Sequence, residues 1–164
     1  MQEFIAHFHP VLVHLPIGIL LIGCLFQWLV IKEQYKKLGP AVGITLFWGM
    51  ITSILSCITG YLLSLSGEYE GGLVDQHQYF GIAVAILSIL LYYLYKRSIN
   101  QSFSRWLALI LAGLIVITGH LGGSLTHGED YLAFSRINKE EKFERKVIAD
   151  VQAAKAYEEV VKPI

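Results

Sequence analysis

The chain has 164 residues, 54% of them hydrophobic, with 13 basic residues balanced by 13 acidic ones and a formal net charge of zero. With a mean hydropathy of +0.53, this excludes a disordered chain and an ordinary water-soluble domain and points to a membrane protein. The basic loops are short and carry topology, not a nucleic-acid-binding stripe.

Four apolar segments approach the roughly 20 residues needed to cross a bilayer. The first, Val11 to Ile31, follows a leader with His7, His9 and Pro10 and carries His14, Pro16 and Cys24. Glu3 is the only charge before Lys32 and no small-residue cleavage site follows, so the segment reads as a retained span and not a signal peptide. Gly39-Pro40 breaks the chain before the second segment, Ala41 to Leu65. That segment spaces Gly49, Thr52, Ser53, Ser56 and Gly60 by three or four, giving one small, weakly polar face suited to close helix packing. The third segment, Tyr79 to Tyr95, is shorter and its helix opens at His77; the fourth, Phe103 to Leu121, closes on His120, and Gly122-Gly123 is expected to end it. From Arg136 the composition changes, with Phe143, Val147, Val151 and Ala154 at helical spacing among charges of both signs.

Lys32, Lys36 and Lys37 lie between the first two segments and Lys96, Arg97 and Arg105 between the last two, while the leader and the loop Ser66 to Gln78 hold no Lys or Arg. The positive-inside rule makes the basic loops cytoplasmic and turns both termini outward. Trp28, Tyr92, Tyr93, Tyr95 and Trp106 then fall at the inner interface, where amphipathic rings sit. Lipid leaves unpaired backbone no partner, so the expected fold is all-α: an integral membrane four-helix up-down bundle in the cell inner membrane. Residues 1–132 form the transmembrane domain, with spans near 11–31, 41–65, 77–95 and 103–121, and residues 133–164 form an amphipathic extracytoplasmic helix or a linker to something further.

All six histidines gather at the outer ends of these segments. Ionisable groups at membrane depth usually face a bundle interior or a site, and neutral imidazole ligates haem iron, copper or zinc. His14, His77 and His120 fall at similar depth, and the first expected ligand pair is His14 with His77, on diagonal helices; His120 can replace either, or serve a second haem or a metal with His127. Gly18 follows His14 by four, Gly81 follows His77 by four and Gly113 precedes His120 by seven, each leaving room on its histidine's face for a porphyrin edge. A zinc or copper site drawn from His9, His14, His77, His120 and His127 with Asp75 uses the same residues, and Glu129 and Asp130 stand near enough in sequence to orient imidazoles. Cys24 and Cys57, the only cysteines, read as small buried hydrophobes, and no CxxCH offers covalent haem attachment.

The opening run from His9 through Pro10, His14 and Pro16 to Ile17, and the closing run from Gly122 and Gly123 through Leu125 to His127 and Gly128, resemble the two motifs of a bacterial four-helix membrane family of unknown function, HPxxVHxPI and GGxLxxxHG. The second motif is shorter here between Leu125 and His127. The resemblance covers roughly Glu3 to Leu132 and implies redox work in the cell envelope, because in one branch such a module precedes a c-type cytochrome domain.

Three readings follow. The first is a haem b-binding electron-transfer module near the outer face, associated with an extracytoplasmic c-type cytochrome, for which quinol oxidation at the outer leaflet is compatible. The second is a zinc- or copper-binding membrane protein. The third is a non-catalytic anchor or assembly subunit that docks other membrane subunits through the small-residue face. No nucleophile with a base, P-loop, dinucleotide fingerprint or HExxH is present, so the chain is not expected to be a self-sufficient enzyme.

Overall fold

The computed structural model describes residues 4, 6–66, 71–128, 142–152 and 155, and the chain divides into two units, Met1–Leu125 and Thr126–Ile164. The described secondary structure is helical: α1 (His9–Leu12), α2 (His14–Leu29), a 3-10 turn (Glu33–Leu38), α3 (Gly39–Ser64), α4 (Gly72–Lys96) and α5 (Gln101–His127). Among the described residues four helical stretches are long and apolar enough to cross a membrane, α1 and α2 together making the first.

Local chemistry sets the boundaries. Val13, between α1 and α2, keeps helical angles (φ −61°, ψ −25°), and the hydrogen-bond ladder is interrupted there because the ring of Pro16 lacks an N–H and crowds the carbonyl of Leu12. Pro40 sits in the first turn of α3, where a missing N–H costs nothing. Gly71, at φ 108°, leads into α4 in a conformation that side chains rarely adopt. Asn100 starts α5 by accepting the Phe103 N–H on Oδ1 at 3.1 Å. That last helix does not stop at Gly122-Gly123 as expected but runs on to His127, ending where Gly128 turns to φ 91°.

Consecutive helices are antiparallel, as short connections require. Along α2 and α3, Gly23 faces Thr45 and Gly49 faces Leu20; along α3 and α4, Cys57 faces Gly81, Ser53 faces Ser88 and Phe47 faces Tyr92. Helix α5 closes the bundle, reaching α2 through Gln27 and Ser104 and α4 through His77 and Thr118. Leu20, Leu46, Leu91 and Leu111 fill the middle with no exposed surface.

Around that plug the interior is more polar than the rim. Gln27, Ser53, Ser56, Ser88 and Ser104 are buried, while Ile44, Ile58, Ile86, Ile110 and Val116 face outward. Small polar groups inside and branched aliphatics outside are the distribution expected where the surroundings are hydrocarbon, because close approach and internal hydrogen bonds, not apolar burial, then hold helices together. In the second unit, residues 142–152 are helical, with Phe143, Val147 and Val151 exposed; most of the rest of the expected helix or linker at 133–164, Ala154 included, lies outside the described residues.

Candidate functional site

Two imidazoles meet at the end of the bundle opposite the basic loops. His9 enters from α1 and His77 from the first turns of α4, their ring centroids 6.2 Å apart and their planes at 79°. They belong to the first and third spans, so they approach across the diagonal of the bundle.

Each ring is pinned through Nδ1. His77 Nδ1 lies 3.1 Å from the carbonyl oxygen of Thr118; a carbonyl only accepts, so the imidazole donates there and its Nδ1 carries the hydrogen. His9 Nδ1 lies 3.2 Å from Thr59 Oγ1. The Thr59 hydroxyl is itself 3.2 Å from the Leu55 carbonyl and 3.1 Å from that of Ser56, so its hydrogen goes to those acceptors and its lone pair accepts from His9. The network thus assigns one tautomer to both neutral rings, with Nδ1–H engaged and a lone pair left on Nε2. Histidines that ligate metals characteristically hold their second nitrogen this way.

Two glycines bring helix backbone against the rings. A Cβ on Gly60 of α3 would lie 2.7 Å from His9 Cε1, and one on Gly122 of α5 would lie 3.0 Å from His77 Cε1. Gly122 therefore serves as a cradle inside a continuing helix and not as its terminus. On Gly18, Gly81 and Gly113 a Cβ would meet no atom within 4 Å, so on the side where a side chain would stand these three expected clearance positions border open space, although the Gly81 carbonyl accepts from Cys57 Sγ on α3.

The partner that the structure gives His77 is His9 and not His14. His14 is exposed, because five residues of helix turn the chain by about 140°, and an inward His9 sends His14 outward with Gly18 on the same face. His7, His120 and Asp75 are exposed as well. In the second unit His127 Nδ1 is 2.7 Å from Thr126 Oγ1, and Glu129 and Asp130 lie outside the described residues. Among the described residues, no three or more His, Cys, Asp or Glu gather as a metal-ligand group. Thr59, Thr118, Gly60 and Gly122 complete the site, and sequence reasoning gave none of them a role toward an imidazole.

Comparison with known proteins gives one match: a family model described as a predicted membrane protein, DUF2231, covers residues 6–130. No curated protein and no solved structure matches the chain.

Proposed function

The chain belongs to the DUF2231 family of predicted membrane proteins, and from that premise we propose that it is a multi-pass redox protein in which His9 and His77 would hold a b-type haem near the outer face. The observation that carries this reading is the imidazole pair, with both Nδ1 atoms engaged and both Nε2 lone pairs free of the tautomer's hydrogen.

The donor set fits such a group. With metal–nitrogen bonds of about 2.0–2.1 Å, two imidazoles on one metal have ring centroids roughly 5 to 6.5 Å apart between tetrahedral and linear arrangements. The observed 6.2 Å lies within that range. Axial ligation of haem needs only two protein ligands, whereas a structural zinc site takes four. Bound there, a haem supplies reversible one-electron transfer. The protein's share is to fix both tautomers through Thr59 and the Thr118 carbonyl, to hold the rings against Gly60 and Gly122, and to keep water away with the apolar middle of the bundle.

Orientation supports work at the outer surface. Lys32, Lys36, Lys37, Lys96, Arg97 and Arg105 cluster at the other end, which the positive-inside rule places in the cytoplasm. The inner membrane, outward termini and a periplasmic-side c-type cytochrome or quinol as redox partner complete the proposal. A copper ion is the second reading, favoured by the same two-imidazole set, since copper(I) is served by few ligands. An expanded metal set that draws on His14 and His120 requires rearrangement of these exposed histidines.

The test is the reduced-minus-oxidised visible spectrum of detergent-purified protein, with pyridine haemochrome quantification and elemental analysis. The expected result is one b-type haem per chain, lost in His9→Ala and in His77→Ala. Full haem content in both variants sinks the pair; copper without haem selects the second reading.

A further inference from the structure

At the basic end of the bundle two hollows run into each other. One, of about 580 Å³, is bordered by Lys36, Lys96, Ser98 and Gln101. The other, of about 470 Å³, is bordered by Ile44, Phe47, Trp48 and Tyr92. They share Pro40, Tyr95 and Lys96, so an open hollow flanked by two lysines runs directly into an apolar, aromatic groove along α3 and α4. The hollow exists because α3 lacks side chains there. A Cβ on Gly43 would lie 3.5 Å from Tyr95 Cε1 and one on Gly39 would lie 3.8 Å from its hydroxyl, and that hydroxyl donates to the Gly39 carbonyl at 2.7 Å, fixing the wall between the two parts.

We infer that this joined hollow binds one phospholipid with an anionic headgroup, its phosphate between Lys36 and Lys96 and an acyl chain along Gly43, Ile44, Phe47 and Tyr92. Charge complementarity selects the occupant. Six cations and one acid, Glu33, lie at this end, in the connections or in the adjoining turns of the spans, and basic pockets between helices on the cytoplasmic side are where anionic headgroups are held. Neither lysine is committed elsewhere at much cost. Lys36 meets Glu33 at 2.5 Å in an exposed pair, of the kind worth little, and Lys96 stands 5.5 Å over the Tyr92 ring, already at the boundary of the two hollows. The apolar groove distinguishes a lipid from a free anion, which needs no such surface.

The full chain in neutral detergent is titrated with dioleoyl phosphatidylglycerol, dioleoyl phosphatidylcholine or inorganic phosphate, and bound lipid per chain is read by native mass spectrometry. One phosphatidylglycerol is expected to be retained at least about tenfold more tightly than phosphatidylcholine, with inorganic phosphate unable to displace it. Lys36→Gln with Lys96→Gln removes the preference, Gly43→Leu weakens both lipids, and Lys32→Gln with Lys37→Gln, outside the hollow, leaves the preference intact. Equal binding of the two lipids by the unmodified chain overturns the proposal. So does displacement by phosphate, which marks a simple anion site, and so does an equal loss of preference in the two lysine pairs, which marks diffuse charge at this end.

Discussion

His9 rests on the bare backbone of Gly60: a Cβ at that position would come within 2.7 Å of the imidazole Cε1, closer than side chains approach one another. Gly60→Ala therefore has to push the ring off Thr59 or push α3 off α1. Gly122→Ala makes a gentler demand on His77, 3.0 Å at the same atom, which a few tenths of an ångström of movement relieves. The expected outcome is a ranking. With the proposed haem as the readout, Gly60→Ala is expected to lose most of it with its helical circular dichroism unchanged, and Gly122→Ala to lose less. The reverse order, read as haem per chain, contradicts this account of how the rings are seated.

Thr59→Val keeps the shape of a buried side chain and removes the acceptor for His9 Nδ1–H. Hydrogen-bond partners behind a metal-bound imidazole typically contribute 10–100-fold in affinity. A loss of about that size in haem affinity, or in copper affinity if copper is what binds, is expected for Thr59→Val, with Thr59→Ser close to the parent. If valine and serine behave alike, the hydroxyl does not hold the ring.

The spans, their order and the end at which the histidines gather are legible in the sequence, because length, hydropathy and the placement of Lys, Arg and His are one-dimensional properties. Which histidine faces inward is not. His9 and His14 share a depth within one helical turn and a half, and only the azimuth around the helix separates them; that angle is set by where α1 packs on α3, near Thr59 and Gly60. The anchor for His77 is a backbone carbonyl, Thr118, which has no sequence signature. Gly122-Gly123 resembles a helix end by composition, yet the chain stays helical there because the His77 ring lies over Gly122, and Gly128 performs the ending. At Gly18, Gly81 and Gly113 the spacing places each glycine on its histidine's face of a single helix, but it contains no information about what stands opposite.

The packing of α2 on α3 turns on Gly49, whose missing Cβ leaves the space occupied by Leu20 Cδ2 and Cγ. Gly49→Ala is expected to lower stability by about 1–3 kcal/mol through overpacking. Leu20→Ala alone also destabilises, because it opens a cavity at a fully buried position. Together the two changes are expected to cost less than their sum, with a coupling of at least about 0.5 kcal/mol. Unfolding of the single and double variants in detergent, followed by circular dichroism, measures the cycle; additivity means that the two side chains do not compete for one volume.

Gln27 is a polar residue in the interior near the basic end, 1% exposed. Its Nε2 donates to Ser104 Oγ at 2.6 Å while Oε1 has no partner. Whichever way the amide is turned, one of its ends is unsatisfied, and that half has already cost its desolvation. Ser104→Ala removes the remaining partner and leaves the amide wholly unpaired, at an expected cost of about 1 kcal/mol or more. Gln27→Leu removes the amide itself and fills nearly the same volume. The Ser104 hydroxyl is then free to turn to its own helix's carbonyl, as Thr45 and Thr118 do with the carbonyls of Ala41 and Leu114. Gln27→Leu is accordingly expected to be neutral or stabilising, and less harmful than Ser104→Ala in a detergent unfolding measurement. A larger loss for Gln27→Leu means that Oε1 is satisfied in the working protein by something bound between α2 and α5.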